Sequence, residues 1–294
     1  MLCRAAAVLR RAPRAVPRRA FTVAIDGPAA SGKSSTARAV AHELGFGYID
    51  SGSIYRCATL LALRQGISDA AEDRAGLAAL VGQADIDVRI RPGPRPAGPG
   101  QIVVPDVQVL LDGEDVSRAI RSPEVNRLVA AVASDGPVRD AVLRIQRSLA
   151  AAAESLSTAR HPAHGGVVMD GRDIGTAVFP NAELKIYLDA SAMARAIRRW
   201  DQMSSQGNGP AGSADAGNAQ EQPPAAHSSV EDIARELEKR DYTDINRKHS
   251  PLRIAPDAVV IDNTNMTFER QVHAIADLAR ERMGVPRRHD DDDM

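Results

Sequence analysis

The chain has 294 residues, enough for one large domain or for one domain carrying a smaller insert. Its 44% hydrophobic and 26% charged residues fit a soluble globular protein, and no apolar run approaches the roughly 18–20 residues that span a bilayer. A formal net charge of -1 and only 3% aromatics argue against nucleic-acid binding, by electrostatics or by base stacking.

The first twenty residues stand apart. Arg4, Arg10, Arg11, Arg14, Arg18 and Arg19 are basic, no acidic residue precedes Asp26, and alanine and short apolar residues fill the gaps. That composition fits a transit peptide for the mitochondrion or a plastid, although the stretch lacks serine; a basic tail on a cytoplasmic protein is the alternative. The two cysteines, Cys3 and Cys57, have no metal-site spacing and imply no disulfide framework.

From Thr22 to Asp26 the run is apolar and short, as in a buried strand. A glycine-rich turn and a helix to about Leu44 follow. Tyr48–Asp50 reads as a second strand, Ile54–Gln65 as a helix, and residues 71–83 as another. Between residues 85 and 120 the texture changes. Asp87–Ile90 and Gln101–Val104 alternate, proline and glycine separate them, and Val107–Leu111 ends on the turn Asp112-Gly113. A small β-rich insert is expected there. Helical periodicity returns from Pro123 to about Leu149. Val167–Asp170 and Leu184–Asp189 read as strands, Met193–Met203 and Val230–Lys248 as helices. Between those helices, residues 204–229 are too polar to bury a core of their own, so a flexible segment is expected. A last strand, Asp257–Ile261, and a last helix, Phe268–Met283, precede the acidic tail 286–294. Strands alternating with helices imply an α/β fold of three layers, with a parallel sheet of about five strands.

Gly27-Pro28-Ala29-Ala30-Ser31-Gly32-Lys33-Ser34 fits the phosphate-binding pattern G-x-x-x-x-G-K-[ST], with a strand before it and a helix after. Backbone N–H groups of such a loop face phosphate oxygens at a helix N-terminus. Lys33 supplies a point charge, and the Ser34 hydroxyl is placed for Mg²⁺. Ser35 and Thr36 come next and are candidates for neighbouring phosphates. The pattern identifies a triphosphate donor far better than it identifies an acceptor.

Cations cluster elsewhere. Asp50-Ser51-Gly52-Ser53-Ile54-Tyr55-Arg56 puts an arginine on the helix after the second strand. Gly171-Arg172-Asp173 follows a strand's C-terminal end, where open α/β sheets bind ligands. Arg195, Arg198 and Arg199 recur at helical spacing, as do Arg240, Asp244 and Arg247. Singly, each reads as solvated surface or as an ordinary i,i+4 pair. Beside a phosphate loop they suggest a lid over residues 191–248 that closes arginines onto a transferring phosphoryl group and keeps water out.

These stretches, with Leu111–Val116, Pro137-Val138-Arg139, Asp170–Thr176, Lys185–Ala190 and Arg240–Arg247, resemble the bacterial-type cytidylate kinases, within the P-loop nucleoside monophosphate kinases. The resemblance spans about residues 22–283. It implies a core of residues 21–84, 121–190 and 249–285, an insert at 85–120 over the acceptor, and transfer from ATP to CMP or dCMP with Mg²⁺. It also implies small-molecule substrates only and a monomer. By the same resemblance, residues 27–35 bind ATP, and Lys33, Arg198 and Arg199 act on the phosphoryl group. Ser51 and Arg56 would hold the acceptor phosphate, Arg139, Arg172 and Asp173 the cytosine end or that phosphate, Arg240 and Asp244 the sugar, and Arg247 the phosphate. Ala130 stands where the family commonly has a base-contacting serine, so that contact is expected to be missing or replaced. Two rivals are a shikimate- or gluconate-type kinase and a nucleotide-dependent switch. The N-K-x-D motif that reads guanine in GTPases is absent.

Overall fold

The computed structural model describes residues 21–67, 73–91, 101–157, 165–207 and 229–285. The expected transit segment 1–20, the tail 286–294 and residues 208–228 of the expected flexible segment lie outside the described residues.

Five parallel strands form the main sheet: β1 (Phe21–Asp26), β2 (Gly47–Asp50), β6 (Gly166–Gly171), β7 (Leu184–Asp189) and β8 (Val259–Asp262), in the order β2-β6-β1-β7-β8. Alternate side chains divide between two cores, as strand geometry requires. Ala24, Ile49, Val167 and Met169 face one core with helices α2 (Ser51–Arg64), α3 (Arg74–Gln83), α4 (Pro123–Ser134) and α5 (Gly136–Ser157). Val23, Ile25, Tyr48, Val168, Leu184, Ile186 and Leu188 face the other, covered by α1 (Lys33–Leu44) and α8 (Phe268–Met283). Three layers result, as the alternation of elements implied.

The insert is a three-stranded antiparallel sheet of β3 (Ile86–Arg91), β4 (Asp106–Leu111) and β5 (Glu114–Asp115). Asp112 and Gly113, both with positive φ, make the β4–β5 turn. Gln101–Val104 alternates in sequence but forms no strand; pairing begins only after Pro105, which has no N–H to donate.

The helix expected over Pro123–Leu149 is two helices. Asp135 ends α4 in an extended conformation, and its carboxylate accepts from Val138 N at 3.1 Å to start α5. Helix α5 then runs on to Ser157. Helix α2 starts at Ser51, three residues before the expected Ile54, because Asp50 caps it by accepting from Ser53 N. Likewise Asp257 lies before β8, paired with the Lys185 ammonium at 2.8 Å.

Two further helices, α6 (Ala192–Gly207) and α7 (Val230–Asn246), pack on each other and on the turn after β1. Ser229 and Thr267 cap α7 and α8, each accepting from the N–H three residues on, and acidic Glu231, Asp232 and Glu269 fill the first turns. The turns after β1 and β6 leave the C-terminal ends of parallel strands, and the strand order reverses beside β1, where such sheets open a crevice.

Candidate active site

The loop after β1 sits where that crevice opens. A Cβ at Gly27 would lie 2.1 Å from the Leu188 carbonyl oxygen, so only glycine lets the loop leave β1 this close to β7. Gly32, with φ of 86°, starts α1 without a side-chain cap, and the first N–H groups of α1 face the crevice uncapped by any side chain. Ala30 takes a left-handed conformation, φ 57°, which costs about 1–2 kcal/mol for an L-residue. Its methyl packs with Ala29 against α6 and α7.

Lys33 is buried, with Nζ donating to the Pro28 carbonyl at 2.5 Å and to Ser31 Oγ at 3.3 Å. Burial first, and the like charge of Arg172 second, hold its ammonium well below the usual lysine pKa. The Ser34 hydroxyl donates to Asp170 Oδ2 at 2.7 Å, and the Tyr48 hydroxyl donates to Asp170 Oδ1 at 2.7 Å. Burial, then the Asp50 charge, pushes the Asp170 carboxyl up to about 6.

Asp170 was missed as a site residue in the sequence. The signal was there: an acid ending an apolar strand that pairs with the loop-bearing strand is where P-loop enzymes keep their second metal-binding group. Ser35 is half-buried in the first turn of α1. Thr36 is not available to a phosphate. It is buried, donates to the Gly32 carbonyl at 2.9 Å and accepts from Gln271.

On the other side of the crevice a chain of alternating charges runs through five residues from three elements. Arg139 donates to Asp173 Oδ2, Asp173 Oδ1 lies 3.6 Å from Arg247, Arg247 lies 3.7 Å from Asp244, and Asp244 accepts from Arg172 Nε at 2.8 Å. Asp244 thus pairs with Arg172 and Arg247, and the ordinary i,i+4 pair of Arg240 with Asp244, the alternative that spacing offered, does not form. Arg247 lies one residue beyond the end of α7, its guanidinium held by the Ser250 carbonyl at 2.8 Å. Arg139 sits 5.2 Å over the Tyr55 ring, and its Nη1 donates to the Ala133 carbonyl at 2.8 Å. Its Nε is buried without a hydrogen-bond partner, a lapse that costs about 1–3 kcal/mol.

Ser51 is buried, and its hydroxyl accepts from Gln146 Nε2 at 2.8 Å. Arg56 donates to the Ile120 carbonyl at 3.1 Å and to Asn126, both close to the insert. Burial, then the neighbouring Arg240 charge, lowers the Arg56 guanidinium to about 10. Arg240 is exposed on the crevice-facing side of α7, and the surrounding protein and then Arg172 lower its pKa. Burial and Arg240 do the same to Arg199. Glu236 beside Arg199, and Asp244 and Asp241 beside Arg240, offset part of this positive charge, and the cluster still favours an anion.

Arg198 departs from expectation. It grips Asn263 after β8, with Nη1 to Oδ1 at 2.8 Å and Nη2 to the carbonyl at 2.7 Å, and Asn263 in turn donates to the Ser31 carbonyl at 2.8 Å. Ala130 is exposed on α4, and its carbonyl accepts from Ser134 at 2.8 Å.

A family model described as cytidylate kinase matches residues 23–281. The chain belongs to the cytidylate kinase family. Curated relatives carry the same name. The cytidylate kinase of Chlorobaculum tepidum is 39% identical over 264 residues, covering 90% of this chain and 94% of that one. Those of Pelodictyon phaeoclathratiforme and Geobacillus kaustophilus are 41% and 38% identical, over 88% and 91% of this chain and 95% and 100% of theirs. The match to the cytidylate kinase family therefore covers the β-rich insert as well as the nucleotide loop.

One buried acid of this kinase makes a pH prediction. Asp26 ends β1 and accepts from Ile174 N at 2.8 Å and Gly175 N at 2.7 Å, which fixes the turn carrying Arg172 and Asp173. Burial raises its carboxyl from 3.8 to about 6. Between about pH 4 and pH 6 the folded state therefore binds more protons than the unfolded one. Asp26 adds stability below pH 4 that is lost as pH rises through 6, on the order of 3 kcal/mol. Activity runs the other way, because a protonated carboxyl holds the two N–H groups more weakly than a carboxylate does. From pH 7 to pH 5, kcat/KM should fall while the thermal midpoint of the wild type gains on that of Asp26→Asn. Parallel pH profiles for the two proteins would refute the assignment.

Proposed function

We propose that this protein transfers the γ-phosphoryl group of ATP to CMP and dCMP, giving ADP and CDP or dCDP. The observation that carries the choice of base is the buried Arg139–Asp173 pair with its unpartnered Arg139 Nε. Cytosine offers an amino donor beside acceptor atoms. A carboxylate has about four lone-pair sites, so Asp173 keeps capacity for that amino group after meeting two guanidinium groups. A cytosine acceptor satisfies the orphaned Nε. Uracil turns a carbonyl toward Asp173, where it meets negative charge.

In this reading residues 27–35 cradle the ATP phosphates, with Lys33 near the transferring group. Ser51, Arg56, Arg172 and Arg247 hold the acceptor phosphate, and Arg240 and Asp244 approach the sugar. Arg199 faces the phosphoryl group. Arg198 serves by fixing Asn263 against the Ser31 carbonyl, so its part is in placing the loop. A phosphate oxygen of the acceptor forms the new O–P bond as the bond from the γ-phosphorus to the bridging oxygen breaks and ADP leaves. A phosphate monoester is largely dianionic at pH 7, so no base is needed, and rate comes from positioning and charge neutralisation.

The donor set fits Mg²⁺. Ser34 and Asp170 are hard oxygen ligands already together, and among the described residues there is no cluster of three or more His, Cys, Asp or Glu to hold a metal alone. That is the pattern for an ion bound partly by substrate phosphates. When bound, the ion would neutralise charge on the phosphates.

The test is ADP release with ATP and a panel of acceptors. CMP and dCMP should lead, UMP should trail, and shikimate and gluconate should give nothing. A folded sample inactive on every pyrimidine monophosphate sinks the proposal, and acceptor-independent hydrolysis would point to a switch.

A further inference from the structure

Arg195 and Asp241 belong to neither substrate site, yet both are buried, with side chains 7% and 11% exposed. They join α6 to α7 through an ion pair of 2.5 Å. Both also hold one residue of the phosphate loop. Arg195 Nη1 donates to the Ala29 carbonyl at 2.9 Å, and Asp241 Oδ1 accepts from Ala29 N at 2.8 Å. Arg195 Nε donates to the Ala190 carbonyl at the end of β7, at 3.1 Å. Around them Ala29, Ala196, Ile233, Ala234 and Leu237 form a third apolar core, with Ala30, Met203 and Val230 against it.

We propose that Arg195 and Asp241 are positioning residues that lock the two arginine-bearing helices onto the phosphate loop, so that the loop, α6 and α7 move as one piece. Arg198 and Arg199 lie within a turn of Arg195, and Arg240 is adjacent to Asp241. Both gripped atoms belong to Ala29, so a shift of either helix away from the loop has to break a contact on that residue. A buried ion pair is seldom retained for stability alone, since apolar residues of similar volume do as well or better. Its use here is geometric. It places the guanidinium groups of α6 and α7 at fixed distances from the loop before any nucleotide arrives. The inference rests on the kinase reading for its rate effects, but not for its structural ones.

The deciding variant is Arg195→Met/Asp241→Leu, which fills the site with apolar volume, with the isosteric Asp241→Asn measured beside it. Trp200, the single tryptophan, lies on α6 and reports the helix position in the free protein. The expected result is a kcat about 10²-fold lower, as for a misplacement near 1 Å, with KM for ATP and CMP within about twofold and an unchanged fold by circular dichroism. Acrylamide should quench Trp200 more readily in the variants, without nucleotide. Either a wild-type kcat or an unchanged Trp200 quenching overturns the inference. Should the double variant fail to fold, Asp241→Asn decides on the same two readouts. If the wild type proves inactive on CMP, the function proposal fails, and the quenching comparison still judges this one.

Discussion

Lys33→Met will lower kcat by about 10²–10³-fold, the loss typical of removing one donor aimed at developing charge. Lys33 is the only lysine in the phosphate loop, and it begins α1, where backbone N–H groups already face the crevice. Its ammonium donates to the Pro28 carbonyl, and burial and Arg172 disfavour its charge. Bound phosphate reverses that balance, because an anion beside a buried ammonium favours the charged form. The charge is therefore worth most when the γ-phosphoryl group is in place. Methionine keeps the unbranched stem and removes a buried amine, so the thermal midpoint should hold or rise. A variant that melts at or above the wild-type temperature with a wild-type turnover would remove Lys33 from the chemistry. Loss of turnover together with unfolding would leave the assignment to Lys33→Arg, which keeps the charge and should regain part of the rate.

The phosphate loop was legible from residue types alone because its backbone makes the site, and glycine spacing records backbone shape. The two-faced sheet was legible for a similar reason: Val23, Ile25, Leu184, Ile186 and Leu188 fall on one side and Ala24, Val167 and Met169 on the other by strand geometry. Boundaries were lost where a side chain caps a backbone. Asp50 and Asp135 each restart a helix that periodicity alone carries on or delays. The charged residues were found but their partners were not. Spacing along α7 pairs Arg240 with Asp244, whereas the fold gives Asp244 to Arg172, 72 residues away in sequence. Asp170 shows the same gap, since its meaning comes from Ser34 and Tyr48, which reach it only when β6 lies between β1 and β2.

That long-range pairing has a consequence for specificity. The residues proposed for the sugar and phosphate, Asp244, Arg247 and Arg172, are in one chain of contacts with those proposed for the base, Arg139 and Asp173. Low dielectric strengthens each link and makes an unpaired member costly. On the proposed assignment, an acceptor that fits the base end meets arginines already held in place for its phosphate.

Asp173→Asn tests this at the base. The side chain keeps its shape but loses the charge that neutralises Arg139 and Arg247. Uncompensated buried charge costs on the order of 3–5 kcal/mol, so the thermal midpoint should drop. Stability alone cannot change the ratio of two substrates measured on one sample, since the folded fraction cancels. The kcat/KM ratio of CMP over UMP should fall by about 10–100-fold, as an amide presents donor and acceptor alike and no longer repels the uracil carbonyl. KM for ATP should stay within about twofold, because residues 27–35 are untouched. An unchanged CMP-to-UMP ratio would take Asp173 out of base recognition. Equal losses for ATP and CMP would make it a structural ion pair. A collapse of the ratio with ATP binding intact would place cytosine discrimination on a carboxylate held between two arginines.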